Sequence, residues 1–395
     1  MTSLALRRPL LTAFALSLGA AVSLGLARFS YALLLPPMRE DLGWSYLLAG
    51  AMNTGNAFGY LIGALLTPML MRRIGAQRTL VGGALVTGAF VLAGGWLVDA
   101  DLLLAQRVLS GIGSAMIFIA GGLLAARLGS LHPERAGLLI GLYYGGTGIG
   151  IVLSALLLPA AMAAAGHYGV AHPWHWAWIA LGLCCFAATA LMAVPASHID
   201  GASAAMARAE RPRLRPLMFG LLGYLMFGVG YIGYMTFVVA LLKEQGMPNT
   251  LISAFYAALG LAVIASSRIW AGMLDRYKGG QSLAILNGLL GVATLIPVLT
   301  AAPLFVFISG IMFGAVFLSA VASTTAMVRH NLPPTAWTSG IGIFTTVFAF
   351  GQIAGPTVVG WIADGPGGLR RGLVFSALAL FVGALFASRQ RALPP

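Results

Sequence analysis

Charge is scarce in this chain: only 8% of its 395 residues are charged, whereas soluble domains carry about 25%. Acidic residues are the rarest, with ten Asp and Glu against 23 Lys and Arg. The shortage of charge excludes an ordinary water-soluble globule. The sequence also lacks a nucleophile–base pattern and a nucleotide-binding loop, so we predict no enzymatic activity and no cofactor.

Cysteine is nearly absent as well, and metal-ligand patterns are missing. The two cysteines, Cys184 and Cys185, are adjacent, and neighbours on a helix point in different directions, so we expect no bridge between them. Three histidines cluster in "GHYGVAHPWHW" (Gly166–Trp176). We interpret this stretch as interfacial packing beside its tryptophans, and no metal site is predicted.

The chain is rich in apolar residues, which make up 59% of it and give a mean hydropathy of +0.91. Apolar runs of roughly 17 to 25 residues recur along the whole length, which is the span that a bilayer core demands. We predict an all-α membrane protein with twelve transmembrane helices, the first over Leu10–Leu35 and the eighth over Thr250–Leu274. The first span is too long for a signal-peptide core, so we expect it to be retained.

Basic residues are distributed unevenly between the loops. Sixteen of the 23 fall in one set of alternate loops, four in the opposite set and three inside spans. The positive-inside rule therefore predicts that both termini are cytoplasmic, in a multi-pass protein of the bacterial inner (plasma) membrane. Topology and contact with anionic lipids explain the net charge of +13 without a nucleic-acid partner.

An internal repeat divides the chain into halves. The longest cytoplasmic loop predicts a boundary, with one six-helix bundle over 1–194, a linker over 195–216 and a second bundle over 217–395. At an offset of 203, "GLARFSY" (Gly25–Tyr31) falls on "GVGYIGY" (Gly228–Tyr234), so that Arg28 corresponds to Tyr231. Two pseudo-symmetric bundles with a midplane site are an arrangement that transporters use; we expect a monomer.

Three motifs connect the chain with a known family. They are "RVLSGIGSA" (Arg107–Ala115), "WAGMLDRYKGG" (Trp270–Gly280) and "GQIAGPTVVGWIAD" (Gly351–Asp364). On these stretches the chain resembles the major facilitator superfamily, and "GLARFSYALLLPPM" (Gly25–Met38) resembles the YbfB/YjiJ-type subgroup more narrowly. The resemblance implies secondary active transport by alternating access, with helices 1, 4, 7 and 10 at the cavity.

Gating is expected at two places. The family motif implies that Asp275 and Arg276, at a cytoplasmic helix end, latch the two halves of the protein in one state. Helix 5 carries "GLYYGGTGIG" (Gly141–Gly150), in which Gly146 and Gly150 allow close helix approach and bending.

Three arginines lie inside predicted spans: Arg28, Arg107 and Arg268. A charge at the bilayer centre costs roughly 2.5–3.5 kcal/mol on insertion scales, yet no span has an interior Asp, Glu or His to offset it. Guanidinium groups bind carboxylate or phosphate in bidentate fashion, so the sequence predicts an anionic ligand.

Each of these arginines also has a structural alternative. Glu40 and Asp41 are competing partners for Arg28. Arg107 could snorkel toward Asp99 or Asp101 or bond carbonyl groups of neighbouring helices. Arg268 could pair with acidic residues of the following loop.

Polar residues also occur in pairs spaced three residues apart, which places both members of a pair on one helix face. The pairs are Arg28/Tyr31, Asn53/Asn56, Tyr144/Thr147 and Tyr231/Tyr234. Interhelical hydrogen bonding, typically worth under about 1 kcal/mol, is the alternative for each member. The complete predicted substrate-binding set is Arg28, Tyr31, Asn53, Asn56, Arg107, Tyr144, Thr147, Tyr231, Tyr234, Arg268 and Gln352.

We therefore predict a secondary transporter for a small organic anion. Proton coupling through the substrate or through a residue such as Tyr231, and facilitated exchange, both stay open. The alternatives are an exporter of amphipathic or cationic compounds, which normally has an acidic cavity residue, and a copper importer, which uses methionine pairs that are missing here. The helix-5 proline of the family's drug antiporters is also missing.

Overall fold

The computed structural model describes residues 8–199 and 215–393, and every regular element in them is helical. Helix α1 runs over Pro9–Leu42 in three segments: an α-helix over Pro9–Ala20, a π-helix over Ala21–Phe29 and an α-helix over Tyr31–Leu42. The remaining long helices are α2 (Tyr46–Ile74), α3 (Ala76–Ala93), α4 (Ala100–Leu131), α5 (Ala136–His167), α6 (Trp174–Ser197), α7 (Met218–Glu244), α8 (Asn249–Ile269), α9 (Gln281–Leu299), α10 (Pro303–Asn331), α11 (Trp337–Ala363) and α12 (Gly368–Arg389).

Eleven of these helices are long and apolar enough to cross a membrane, and α2 is the long helix outside that set. Helix α2 has 29 residues, so its length is sufficient, but its polar residues lower its hydropathy. The prediction of an all-helical, multi-pass membrane protein is confirmed. The count of twelve spans and the cytoplasmic termini stay predictions.

Several helix boundaries differ from those that the sequence predicts, among them the ends of the first and eighth spans. The first span was expected to stop at Leu35, before two prolines, but α1 continues through Pro36 and Pro37 to Leu42. Proline is tolerated in transmembrane helices because neighbouring groups can satisfy the freed backbone. The eighth span was expected to reach Leu274, but α8 stops at Ile269 and a short helix over Ala271–Arg276 follows it.

Contacts group the described residues into two units. The first consists of the described parts of Met1–Trp44, Gly55–Ala204 and Ile252–Ile264; the second consists of those of Ser45–Thr54, Ala205–Leu251 and Ala265–Pro395. The expected boundary at the linker 195–216 stays a prediction, since residues 200–214 lie outside the described part of the chain.

A similar packing pattern occurs in each unit. In the first, α1 packs on α4, α5 and α6, and α3 packs on α4 and α6. In the second, α7 packs on α9, α11 and α12, and α9 packs on α10 and α12. Helices α1 and α7 are also the most buried: 78% of an apolar 18-residue stretch of α1 and 83% of such a stretch of α7 lie inside the protein. The recurrence agrees with the internal repeat, in which α1 corresponds to α7.

Candidate functional site

Arg28 lies in the last turn of the π-helical segment of α1 and is only 2% exposed. Its Nε and Nη2 atoms are buried and have no hydrogen-bond partner among the described residues. Its guanidinium carbon lies 5.8 Å from the centre of the Tyr60 ring. Nε and Nη2 form one edge of the planar guanidinium, and this edge can donate two parallel hydrogen bonds to a carboxylate or phosphate. Arg28 therefore presents a bidentate edge that no described residue meets.

The acids near the end of α1 do not serve as partners for that edge. The Asp41 carboxylate accepts a hydrogen bond from Nε1 of Trp174 and lies 2.6 Å from Nδ1 of His172. Glu40 is exposed at the helix end. This polar cluster joins α1 to the start of α6. In the described residues, no group of three or more His, Cys, Asp or Glu could hold a metal ion.

Arg107, on α4, has a different environment. It is 1% exposed, and its Nη1 donates a hydrogen bond of 2.7 Å to the carbonyl oxygen of Ala27 in α1. Its guanidinium also lies 4.9 Å from the Tyr31 ring and 5.7 Å from the Trp178 ring, within cation–π range. Of the two structural alternatives for Arg107, bonding to a carbonyl group is the one observed.

Asp99 and Asp101 lie at the start of α4 and are exposed. Asp99 accepts a hydrogen bond of 3.0 Å from the backbone N–H of Leu102 and so caps the helix. A carboxylate is favourable at this position because it meets the positive end of the helix dipole. These acids therefore have a local structural role.

Two further predicted residues of the first unit carry an unpaired polar atom. Asn56 donates from Nδ2 to the carbonyl oxygen of Arg107 (3.2 Å) and to Ser110 Oγ (3.3 Å), but its buried Oδ1 has no partner among the described residues. The buried hydroxyl of Thr147 is likewise unpaired there. Tyr144 is 36% exposed and its ring packs 5.4 Å from that of Phe118.

Gly146 and Gly150 lie where α5 meets α1. A Cβ atom on Gly150 would stand 2.5 Å from the carbonyl oxygen of Ala21 and 2.8 Å from the Cα of Gly25. A Cβ on Gly146 would overlap the backbone of Ser17. These glycines let two helices approach closely; their gating role stays a prediction.

In the second unit, the predicted polar residues bond to side chains of other helices. Tyr231 donates from its hydroxyl to Oε1 of Gln352, at 2.6 Å. The hydroxyl of Tyr234 lies 2.8 Å from that of Ser309.

The same holds for Asn53, which belongs to the second unit although it precedes Asn56 by one helical turn. Its Nδ2 donates to the hydroxyl of Thr236 at 2.6 Å. Interhelical hydrogen bonding, the alternative open for each of these residues, is thus observed, and their substrate contact stays a prediction.

Aromatic stacking surrounds the same residues of α7. The Tyr231 ring stacks on Phe227 at 4.8 Å and on Phe348 at 5.6 Å. Tyr234 stacks on Phe313 at 4.0 Å. These rings make this part of the second unit a packed aromatic core.

The remaining predicted residues lie at the surface of the second unit. Arg268, in the last turn of α8, is exposed. Asp275 and Arg276 are exposed as well, and the Arg276 guanidinium lies 5.8 Å from the Tyr277 ring. The structure therefore does not bring Arg268 together with Arg28 and Arg107 in one unit.

Sequence reasoning missed three aromatic residues near the arginines: Tyr60, Trp178 and Tyr256. Tyr256 is fully buried on α8, and its hydroxyl donates a hydrogen bond of 2.6 Å to the carbonyl oxygen of Phe29. A signal was available for Tyr60, which follows Asn56 by one helical turn and so shares its face. No feature of the sequence over Ala21–Phe29 predicts the π-helical conformation of this segment.

Sequence comparison decides the family. A profile described as "Uncharacterised MFS-type transporter YbfB" matches residues 20–388. The chain belongs to this family of the major facilitator superfamily. Family and fold are those of transporters, so the protein is a multi-pass membrane transporter.

Two curated relatives are similar to this YbfB-type transporter at low identity. The 3-(3-hydroxy-phenyl)propionate transporter of Escherichia coli (strain K12) is 24% identical over 377 residues, which cover 90% of this chain and 87% of the relative. A chloramphenicol resistance protein of Streptomyces lividans is 25% identical over 280 residues, which cover 69% of this chain and 68% of the relative.

Solved transporter structures share the fold. A bacterial homologue of the human lysosomal transporter Spinster, inward-facing and occupied, has a TM-score of 0.73 at 16% identity, covering 98% of this chain and 97% of that one. The transporter FucP in its outward conformation has a TM-score of 0.63 at 14% identity, covering 97% of this chain and 99% of that one.

Proposed function

We propose that this transporter carries a small organic anion by alternating access and that the anionic group of the substrate binds to Arg28. The observation that carries the proposal is the buried, unpartnered Nε–Nη2 edge of this guanidinium. We place the protein in the bacterial inner membrane, as a monomer with both termini in the cytoplasm.

The unpartnered edge of Arg28 is energetically costly. A buried donor without a partner costs about 1–3 kcal/mol, and more when it is charged. A carboxylate accepts both hydrogens of the open edge at once, and charge-assisted bonds of this kind are about twice as strong as neutral ones. Since no described acid meets the edge, an anionic ligand is the group that would offset the cost.

A carboxylate is the anion that the comparisons favour. One relative is described as a transporter of 3-(3-hydroxy-phenyl)propionate, which is a carboxylate at neutral pH. That acid also carries an aromatic ring, and the Tyr60 ring lies beside Arg28. We therefore take this acid as the first probe.

The test is uptake of radiolabelled 3-(3-hydroxyphenyl)propionate into liposomes that contain the purified protein, with and without an imposed proton gradient. We expect saturable uptake by the wild type, and a fall of about 100-fold or more in the Arg28→Gln variant, because the two charge-assisted bonds are each worth about 1.5–3 kcal/mol. Arg389→Gln is the matched control, since Arg389 is exposed at the end of α12. Wild-type uptake that survives in Arg28→Gln would refute the assignment.

Export of an amphipathic compound is the second candidate, because one relative is described as a chloramphenicol resistance protein. Chloramphenicol carries no ionised group at neutral pH, so its transport needs no guanidinium. Chloramphenicol flux in the same liposomes, unaffected by Arg28→Gln, would favour export over anion transport.

A further inference from the structure

We propose that Tyr256 is a positioning residue for Arg28 and that, together with Arg107, it fixes the orientation of the anion-binding edge by holding the backbone on both sides of Arg28. The inference rests on the proposed function, in which Arg28 binds the substrate anion. It assigns a role to a residue of α8 outside the predicted set.

The first observation is the backbone conformation around Arg28. Residues Ala21–Phe29 form a π-helix of nine residues. π-Helices are rare, usually extend over a single turn and occur frequently at functional sites. A wide segment of this length needs support from its neighbours if it is to hold one side chain in a fixed orientation.

The second observation is where that support is applied. The carbonyl group before Arg28, that of Ala27, accepts a hydrogen bond of 2.7 Å from Nη1 of Arg107 on α4. The carbonyl group at the next residue, Phe29, accepts one of 2.6 Å from the hydroxyl of Tyr256 on α8. The carbonyl groups of the two residues next to Arg28 are therefore each held by a side chain from a different helix.

Tyr256 is itself held firmly. It is 0% exposed, and Gly260, one helical turn further along α8, lies against α5: a Cβ on Gly260 would stand 2.9 Å from the carbonyl oxygen of Gly148. This close approach places Tyr256 within reach of α1. A rigid tyrosine with one hydrogen bond can set the position of a neighbouring backbone, which is how supporting residues keep a binding group in its productive geometry.

Tyr143 provides a comparison for a purely structural role. Its hydroxyl is also buried and also donates to a backbone carbonyl group, that of Phe118 on α4, at 2.9 Å. The chemistry matches that of Tyr256, but the carbonyl does not belong to a residue beside Arg28. If the hydroxyl of Tyr256 only supported packing, loss of either hydroxyl would have the same consequences for transport.

The experiment measures KM and the maximal rate of 3-(3-hydroxyphenyl)propionate uptake in liposomes for the wild type, Tyr256→Phe and Tyr143→Phe. We expect Tyr256→Phe to raise KM about fivefold, the size of effect that loss of one hydrogen bond produces, with little change in maximal rate. Tyr143→Phe should leave KM unchanged.

The effect of Tyr256→Phe is also measured in a protein that already carries Arg28→Lys. An ammonium group is a point charge without a planar edge to orient, so Arg28→Lys should bind the acid more weakly, and adding Tyr256→Phe to it should change KM no further. Tyr256→Gln retains a donor and should recover part of the lost affinity. Tyr256→Met, which lacks a donor as Tyr256→Phe does, replaces that variant if it fails to fold.

The outcomes separate the two proposals. Uptake that depends on Arg28 but has the same KM in Tyr256→Phe as in the wild type would overturn the positioning role alone. An equal rise of KM on the Arg28→Lys background would do the same. Absence of saturable, Arg28-dependent uptake would overturn the proposed function, and the positioning role with it.

Discussion

Arg28 and Tyr231 occupy the same position in the internal repeat, one on α1 and the other on α7, and the two units treat them differently. Both side chains are buried, at 2% and 3% exposure. The Tyr231 hydroxyl is bonded to Gln352, and its ring stacks on three phenylalanines. Arg28 keeps an open, charged edge. The same scaffold position serves packing in the second unit and presents a charged donor in the first.

The difference extends to the neighbouring polar residues. Asn56 and Thr147 of the first unit each carry a buried polar atom without a partner in the described chain, whereas Asn53 and Tyr234 of the second unit are bonded to Thr236 and Ser309. Buried polar groups are normally satisfied, so each unsatisfied one needs an explanation, and the second unit also has such atoms, on Gln245, Asn287 and Ser376. Two unsatisfied donors on one charged edge distinguish Arg28, and we infer that ligand recognition centres on it.

The largest effect that we expect concerns Gly150 on α5 and Gly355 on α11. The pair Gly146 and Gly150 matches the pair Gly351 and Gly355 in the internal repeat, at an offset slightly different from that of Arg28 and Tyr231. A Cβ on Gly355 would lie 2.6 Å from Cγ2 of Ile232 and 2.7 Å from the carbonyl oxygen of Val229. Gly150→Ala and Gly355→Ala should each destabilise the protein by about 1–3 kcal/mol through overpacking.

Only Gly150→Ala should also alter the KM for the anion, because it displaces α1 one turn before Arg28. Thermal unfolding and liposome uptake, measured side by side, check both parts. Equal changes of KM in the two variants would break the comparison.

Replacing Arg28 with an apolar residue should stabilise the protein in the absence of substrate. In Arg28→Met an unpartnered buried guanidinium is replaced by an apolar side chain, and we expect a gain of about 1–3 kcal/mol in the free energy of unfolding, in the absence of substrate. The readout is the midpoint of thermal unfolding in detergent. A lower midpoint would show that Arg28 has structural partners.

Tyr231→Phe should have the opposite and smaller effect. It leaves Oε1 of Gln352 without the hydroxyl that it accepts from, at a cost of about 1 kcal/mol. We expect a lower unfolding midpoint and an unchanged KM for the acid. A large rise in KM would mean that the second unit shares in binding the substrate.

Much of the fold could be predicted from the sequence, because hydropathy and the repeat are properties of residue order. The long helices begin and end within about five residues of the predicted spans, apart from the end of the first. The first span was predicted to end at Leu35, but α1 continues through Pro36 and Pro37 to Leu42. The sequence around Trp270 contains no feature that would predict the end of α8 there.

The candidate site could be predicted only in part. Arg28 was identifiable since a charge in an apolar run is costly and needs an explanation. The contacts of Arg107 are with the Ala27 carbonyl group and the Trp178 ring, which lie 80 and 71 positions away in the sequence. Helical spacing relates only residues a few positions apart, so it could not predict these contacts. The π-helix is likewise set by packing between helices, so Tyr256 could be recognised only in three dimensions.

The most direct test of the central claim is a calorimetric titration of the purified protein with 3-(3-hydroxyphenyl)propionate and with its primary amide, which has the same shape but no charge. The account predicts that the wild type binds the acid at least about tenfold more tightly than the amide and that Arg28→Gln abolishes this preference. Equal affinity of the wild type for acid and amide, or an undiminished preference in Arg28→Gln, would contradict it.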